Sequence, residues 1–579
     1  MLGKEMFDIW YNNVTDAEKA ELEKIKDNPE EIKDRFAAPL AFGTAGMRGT
    51  VDLGTFRMNS YTVARATYGL ARFINSLPKD AAQRGVVISY DTRRFSLEFA
   101  KKVACVLSAC KINSFLFENV HPVPMCSYAI RYKHAIAGVM ITASHNPKEY
   151  NGYKVYGEDG AQMSPEDTAE VVKYIESVTD YFSVKADDVP FPESLRGLDE
   201  VKLNEYVTVI GKTVDESYFN EITKLSLSPE AVKKYGKDLK LVYTPIHGSG
   251  YLPVTTILSR LGINVTCVEE QTKYDTEFST VPIPNPENPA ALEMGIALGN
   301  KIGADVVIGT DPDCDRMGLA IRDFDGKFRL LNGNQIGALL LDYIITRLEE
   351  TGTMPKNPAV VKTIVTTTLA DRIAKAHNVT VFNVLTGFKF IGEKIKEWEK
   401  SGEYTYIFGY EESYGYLRGT HARDKDAVVA SMLTAEMVCY YTSIGKGLYQ
   451  RLMEIFEQYG YYREAVTSIA YKGVDAMRDM AAAMSKMRAK TITKIAGEPV
   501  LSVSDYLSGK NTFADGSVAD IDLPKTDAIK YCLKDEQFVC IRPSGTEPKL
   551  KVYVLCYSDN AEKAALKAEN LLESIKKEL

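Results

Sequence analysis

Gly138-Val139-Met140-Ile141-Thr142-Ala143-Ser144-His145-Asn146-Pro147 sets an unbroken apolar run directly before a turn of polar side chains. An unbroken run suits a strand buried on both faces, the condition of strands in parallel sheets. The same arrangement recurs in Val86-Val87-Ile88 before Tyr90-Asp91-Thr92-Arg93, and in Leu241-Val242-Tyr243 before His247-Gly248. It appears again in Val306-Val307-Ile308 before Gly309-Thr310-Asp311, and in Val360-Val361 before Lys362-Thr363. Helical patterns such as Leu339 to Arg347 and Phe390 to Trp398 lie between the runs. Strands alternating with helices imply right-handed βαβ units, and ligands gather at the carboxyl ends of such strands. Those ends carry the polar residues here.

The last third reads differently. Tyr461 to Lys472 partly alternates, Met477 to Ile495 has a helical pattern, and Val539 to Cys556 suits strand–loop–strand. Ala561, Ala564, Ala565, Ala568, Leu571, Leu572 and Ile575 form one apolar face of a closing helix. A smaller α+β domain is therefore expected from about residue 446. At 579 residues the chain has room for about four domains of roughly 150 residues.

Hydrophobic residues make up 45% and charged residues 26%, an ordinary globular balance. The net charge of −8 argues against nucleic acid as a partner, which would require a basic excess. Nine cysteines, odd in number and without a C-x-x-C pair, fit neither a disulfide framework nor a thiolate zinc site. The N-terminus is charged from the start and shows no signal peptide. The most apolar stretch, Ala427 to Gly445, contains Glu436 and several hydroxyl residues, so it suits a buried helix better than a membrane span. A cytoplasmic protein is expected, a monomer or a homodimer, with no membrane partner.

Gly309-Thr310-Asp311-Pro312-Asp313-Cys314-Asp315-Arg316-Met317-Gly318 concentrates three carboxylates. So close a set repels itself unless a cation or basic group intervenes. On an extended strand i and i+2 side chains stand roughly 6.6 Å apart, whereas Mg²⁺ takes oxygens at about 2.1 Å, so the segment must curve around an ion. An EF-hand fails on position: with Asp311 first, the sixth residue is Arg316 and the twelfth is Arg322. Oxygen-only donors favour Mg²⁺ over zinc, and a solvated acidic turn is the bland alternative.

Ser144 is expected exposed at its strand end. The Ser144-His145 pair invites a hydrolase reading, but the G-x-S-x-G elbow is missing, and adjacent side chains on an extended strand point to opposite faces. An incidental Asn-Pro turn is the alternative. Arg542-Pro543-Ser544-Gly545-Thr546-Glu547-Pro548 offers a guanidinium, two hydroxyls and free backbone N–H groups, a grip for phosphate. In Gly409-Tyr410-Glu411-Glu412-Ser413-Tyr414-Gly415, Glu411 and Ser413 alternate onto one side, where they could bond sugar hydroxyls. Lys362, Thr386-Gly387-Phe388-Lys389 and Arg423-Asp424-Lys425-Asp426 add cations nearby in sequence, with surface ion pairs as the bland reading. Gly43-Thr44-Ala45-Gly46-Met47-Arg48-Gly49 lacks any nucleotide-loop signature and reads as a turn delivering Arg48 to an anion.

In order and spacing these segments closely resemble the α-D-phosphohexomutase superfamily. Thr142–Pro147 resembles its serine loop, Asp311–Arg316 its metal loop, Glu411–Ser413 its sugar loop and Arg542–Thr546 its phosphate loop. Gly46-Met47-Arg48-Gly49, Glu149-Tyr150-Asn151-Gly152-Tyr153-Lys154, Pro284-Asn285-Pro286-Glu287, Thr386-Gly387-Phe388-Lys389-Phe390-Ile391-Gly392 and the Gly409–Tyr416 form of the sugar loop resemble the phosphoglucomutase and phosphopentomutase branch. One departure is Gly415, where some members carry a histidine after the sugar-loop serine. That residue's acid–base role therefore has no counterpart here.

The resemblance implies an α/β chain of four domains around a central cleft, three of them similar with mixed or parallel sheets. Their expected bounds are 1–205, 206–325, 326–445 and 446–579. It implies Ser144, Arg48, Lys154 and His145 as catalytic groups, with Arg48 or Lys154 assisting proton transfer; Lys154 would need a lowered pKa for that. It implies Mg²⁺ on Ser144, Asp311, Asp313 and Asp315. Substrate contacts would come from Arg316, Lys362, Thr386, Gly387, Lys389, Glu411, Ser413, Arg423, Lys425, Arg542, Ser544, Gly545 and Thr546. The implied reaction passes phosphate between glucose 1-phosphate and glucose 6-phosphate through phosphoserine and glucose 1,6-bisphosphate. Mannose and ribose phosphates, a bisphosphate synthase or phosphatase, and a non-catalytic sugar-phosphate sensor are the alternatives.

Overall fold

The apolar runs fold as buried strands, each with its polar turn at the carboxyl end. The computed structural model describes residues 3–43, 46–78, 80–471, 475–544 and 549–579. The backbone packs as two compact units. One is Met1–Asn332 with Gly392–Lys400 and Ser413–Gly445; the other is Gly333–Ile391 with Ser401–Glu412 and Lys446–Leu579.

The first unit holds a seven-stranded mixed sheet in the order Gly46–Thr50, Tyr150–Gly157, Ala137–Ile141, Val86–Tyr90, Ser114–Phe117, Val207–Ile210, Val201–Lys202. Val86–Tyr90 runs parallel to both neighbours, so the turns after Tyr90 and Ile141 emerge side by side. Every residue of Val86–Tyr90 and Ala137–Ile141 is buried, which is why neither strand alternates in sequence. Tyr150–Gly157 returns antiparallel to Ala137–Ile141 and brings Lys154 opposite Met140.

A second, five-stranded sheet has the order Phe328–Leu331, Met317–Arg322, Val306–Thr310, Leu241–Thr244, Val265–Cys267. Its core strand Val306–Thr310 is parallel to Leu241–Thr244 and antiparallel to Met317–Arg322. The sheets overrun the expected domain bounds at 205 and 325. Val207–Ile210 pairs with Ser114–Phe117, and Phe328–Leu331 with Met317–Arg322, because ladder hydrogen bonds continue across both positions.

Helix Ala427–Ser443, expected in the third domain, packs against Pro229–Tyr235 and Tyr251–Arg260 in the first unit. Apolar all round, it has to be enclosed. Its Glu436 Oε1 accepts from the Ser226 hydroxyl at 3.0 Å and from the backbone N–H groups of Leu227 and Ser228. Among the described residues no single helix is long and apolar enough to cross a membrane.

In the second unit Pro358–Thr363 lies parallel to both Thr380–Val384 and Thr405–Glu411. Helix Gly333–Glu350 crosses this layer so closely that a Cβ on Gly337 would stand 2.1 Å from the Tyr410 ring. Gly337→Ala is therefore expected to destabilise the protein by about 1–3 kcal/mol through overpacking. Thermal unfolding checks this, and an unchanged melting temperature would mean that the Tyr410 ring yields.

The rest of this unit is a seven-stranded antiparallel sheet with Lys549–Ser558 between Tyr461–Ala470 and Phe538–Pro543. Helix Ala561–Lys576 buries Ala564, Ala568, Leu571 and Ile575 against it. The helix expected from Met477 to Ile495 ends at Ala489. Thr491, Ile492 and Thr493 are β-branched and propagate a helix poorly, and Lys494–Ile495 instead pairs with Glu498–Pro499.

Candidate active site

Ser144 begins the turn beyond Ile141 and has φ 52°, in the left-handed region. Its N–H donates to Thr142 Oγ1 at 2.8 Å, a local bond that competes with continued strand. Two expectations fail here for one reason. The left-handed residue breaks the extended alternation, so Ser144 Oγ and His145 Nδ1 come within 3.2 Å instead of facing apart. Ser144 is also buried, only 3% exposed, because its hydroxyl is directed at the carboxylate loop and donates to Asp311 Oδ2 at 3.0 Å.

That loop leaves the strand Val306–Thr310 and curves as the carboxylate spacing requires. Ser249 supports it, donating from its N–H and hydroxyl to the Pro312 carbonyl, both at 2.8 Å. Gly248 lies beneath: a Cβ there would meet Pro312 Cα at 2.5 Å, so only glycine allows the approach. Asp311 Oδ1 accepts from the N–H groups of Asp315 and Arg316 at 3.1 and 3.0 Å. The loop gathers one oxygen each from Asp311, Asp313 and Asp315 within 4.8 Å of one another, all buried.

In this cluster Asp313 Oδ1 and Asp315 Oδ1 are buried and accept no hydrogen bond from the described residues. Burial and the neighbouring Asp313 and Asp315 carboxylates push Asp311 well above the usual carboxylate range. Burial acts on Asp315 in the same direction, but Lys425, Lys154 and Arg316 outweigh it and hold Asp315 below that range. Orphaned oxygens and mutual repulsion are what a divalent cation would relieve, so the donors fit a hard metal ion.

Lys154, Lys425 and Arg316 approach the triad, and Arg48 reaches the serine loop. Lys154 Nζ lies 2.8 Å from Asp313 Oδ2 and 3.5 Å from Asp315 Oδ2. Lys425 Nζ lies 3.1 Å from Asp315 Oδ2 and 2.9 Å from Asp424 Oδ1. Arg316 pairs with Glu287 at 2.9 Å, and Arg48 donates to Asn146 Oδ1 at 2.7 Å. The lowered pKa that proton transfer by Lys154 would need is not found: burial alone would lower it, but Asp313 and Asp315 raise it above the ordinary lysine value. A cation on the triad would compete for those oxygens and push Lys154 back down. His145 is driven well below its usual value by burial and by Arg316 and Arg48, so its imidazole is neutral.

Arg423 turns away from this cluster. It pairs with Glu399 and donates to the carbonyls of Thr420 and Ala422, fully buried. Ser413 lies in the turn after Glu412 and is half-buried.

In the second unit Glu411 ends the strand Thr405–Glu411 and accepts from Gly387 N–H at 2.8 Å, next to Thr386. Lys362 is buried between Asn383 Oδ1 at 2.7 Å and Asp371 at 3.0 Å, and Lys389 lies over the Phe390 ring. Arg542 donates to the Tyr553 hydroxyl at 3.3 Å, and Ser544 N–H bonds the Lys549 carbonyl at 2.7 Å. Gly545 and Thr546 lie outside the described residues.

Sequence reasoning missed Glu412, whose Oε2 accepts from the Thr363 and Thr366 hydroxyls at 3.2 Å and feels the charge of Arg542. It also missed Arg93. That residue stands in the Tyr90-Asp91-Thr92-Arg93 turn at a strand end, a position that could have flagged it.

Models described as phosphoglucomutase/phosphomannomutase alpha/beta/alpha domains I, II and III match residues 39–182, 216–326 and 332–459, and the C-terminal domain matches 482–573. A phosphoglucomutase of Staphylococcus epidermidis is 37% identical over 575 residues, spanning 99% of this chain and 98% of its own. One from Staphylococcus aureus is 36% identical over 547 residues, 94% of each chain. In fold the chain is similar to the open form of parafusin, a phosphoglucomutase of Paramecium, with TM-score 0.67 and 18% identity over 94% of this chain and 95% of that one. A phosphoglucomutase/phosphomannomutase family protein of Burkholderia thailandensis gives TM-score 0.65 at 14% identity, over 93% and 97%. Fold and relatives together define an intramolecular phosphotransferase, an enzyme of the isomerase class. The chain belongs to the phosphoglucomutase/phosphomannomutase family.

Proposed function

We propose that the enzyme interconverts glucose 1-phosphate and glucose 6-phosphate through phosphoserine at Ser144 and a glucose 1,6-bisphosphate intermediate. The observation that carries this reading is Ser144 Oγ at 3.0 Å from Asp311, beside buried carboxylate oxygens without hydrogen bonds. A nucleophile seated against a cation site suits phosphoryl transfer, whose catalysis is mostly positioning and charge stabilisation. The relatives named phosphoglucomutase support glucose as the sugar. Asp311, Asp313, Asp315 and a Ser144 phosphoryl oxygen would hold Mg²⁺, which supplies charge neutralisation on the transferring group.

In the forward step the Oγ–P bond of phosphoserine breaks as a sugar hydroxyl oxygen bonds to phosphorus. The hydroxyl proton ends on Ser144 Oγ, so atoms and charge balance. His145, neutral and 3.2 Å from Oγ, is placed to hold that proton in transit, whereas Lys154 is an ammonium while Asp313 and Asp315 face it. The bisphosphate then returns its other phosphoryl group to Ser144. Lys154, Lys425, Arg48 and Arg316 gather positive charge about the transferring phosphate. In the second unit Arg542 and the Ser544 loop are assigned to phosphate, and Glu411 to sugar hydroxyls. The nine cysteines are all free, in keeping with a reducing cytoplasm.

The test is kcat/KM for glucose 1-phosphate, mannose 1-phosphate and ribose 1-phosphate on one preparation, with inorganic phosphate release measured alongside. Preference for mannose or ribose would overturn the glucose assignment, and phosphate release exceeding isomer formation would overturn the mutase reading. Glu411→Gln keeps an acceptor for Gly387 N–H but loses the charge, and is expected to raise KM for glucose 1-phosphate by about 10-fold or more. A KM unchanged within twofold would remove Glu411 from the sugar site.

A further inference from the structure

Arg93 lies on the turn after Val86–Tyr90, beside the turn that carries Ser144, and its side chain is completely buried. Its Nη2 donates to the carbonyls of Ser144 at 2.6 Å and Asn146 at 2.5 Å. Its Nη1 donates to the carbonyls of Pro147 at 2.8 Å and Tyr150 at 3.1 Å. One guanidinium thus collects four carbonyls of a single loop, an arrangement that only a planar fork of several donors can satisfy.

The fork is itself held in place. Nε faces Asp91 Oδ2 at 3.4 Å, and the guanidinium lies over the Phe278 ring at 5.1 Å. Asp91 Oδ1 accepts from the Arg93 N–H at 2.9 Å and from the Ser96 hydroxyl at 2.7 Å. The loop it grips needs such support. Ser144 sits at φ 52°, where a residue with a Cβ is strained, and carbonyls converging on one point repel unless a cation lies between them. Asn146, held through its carbonyl by Arg93, also receives Arg48 on its side chain at 2.7 Å.

We propose that Arg93, backed by Asp91, is the positioning residue that fixes Ser144 Oγ against the carboxylate triad, setting the rate of phosphoryl transfer and not the affinity for sugar phosphate. The role rests on the phosphoserine reading above. Arg93 grips the loop from its backbone side, so its loss would tilt Oγ while leaving Glu411 and Arg542 untouched. Misplacement of a reacting group by about 1 Å costs on the order of 10²-fold in rate.

The experiment uses the full chain with Arg93→Lys and Arg93→Ala, and Ser144→Ala as control. For Arg93→Lys, kcat is expected to fall on the order of 10²-fold while KM for glucose 1-phosphate moves less than about threefold. Transfer from glucose 1,6-bisphosphate to the protein, followed by intact mass, is expected to slow by the same factor. Added guanidinium, below the concentration that unfolds the protein, should partly restore kcat to Arg93→Ala and not to Ser144→Ala. Should Arg93→Lys fail to fold, Asp91→Asn carries the test, with a fall of about tenfold in kcat at unchanged KM. Variants whose folded fraction phosphorylates and turns over like wild type overturn the positioning role alone. A wild-type protein that takes no phosphoryl group from the bisphosphate overturns the phosphoserine reading as well.

Discussion

Ser144→Ala is expected to abolish mutase turnover, by at least about 10³-fold, while glucose 1-phosphate binds within about threefold of wild type. The asymmetry follows from where the hydroxyl sits. Ser144 Oγ bonds Asp311 and His145 within the first unit, so its removal takes away the phosphoryl carrier and little else. Glucose 6-phosphate formation from glucose 1-phosphate primed with glucose 1,6-bisphosphate measures the first quantity, and titration calorimetry with glucose 1-phosphate the second. Activity within tenfold of wild type would sink the phosphoserine mechanism. Equal loss of binding and turnover would place Ser144 in substrate recognition instead.

Chelation is expected to reduce activity by about 10²–10³-fold, with recovery on adding Mg²⁺, and Asp313→Asn to reproduce much of that loss in the presence of Mg²⁺. The stability of the metal-free protein gives a sharper test. The folded-state pKa of Asp311 is raised above its unfolded value, so its contribution to stability is complete below the unfolded pKa, about 3.9, and is lost as pH rises through the folded one. Asp315 has the opposite sign: its stabilisation is present above the unfolded pKa and is lost as pH falls through its depressed folded value. At neutral pH without metal, Asp311 therefore detracts from stability. Asp311→Asn should melt above wild type then, by about 1 °C per kcal/mol relieved in a chain of this length. Saturating Mg²⁺ should reverse the order, because only wild type keeps the full ligand set and gains the linkage stabilisation. Scanning calorimetry of both proteins with chelator and with Mg²⁺ decides the matter. Asp311→Asn melting below wild type without metal would refute the repulsion argument.

Much of the fold was legible because its signals are local. The buried runs Val86–Tyr90, Ala137–Ile141, Val306–Thr310 and Pro358–Thr363 are strands, and the stripe from Ala561 to Ile575 is a helix face. The carboxylate cluster was legible for a similar reason: Asp311, Asp313 and Asp315 lie within five residues, and their repulsion can be argued without coordinates. Domain bounds were less so. Whether Val207–Ile210 or Phe328–Leu331 ends one sheet or starts another depends on pairing partners elsewhere, and the strand sequences do not name their partners.

By itself, then, the sequence determined the α/β class, the oxygen-only donor set and the order of the four motifs, since periodicity and functional-group chemistry belong to short segments. Tertiary structure alone decided that Ser144 meets a carboxylate 167 residues away, that its left-handed backbone turns His145 toward it, and that Lys154 is held charged. It also decided that Lys425 reaches the triad while Arg423 pairs with Glu399, and that Arg93 gathers four carbonyls of the serine loop. The physical reason is common to all of these. Burial, a dihedral beyond the strand region and the sum of neighbouring charges are set by atoms remote in sequence, and they exist only once the strand ends have been brought together.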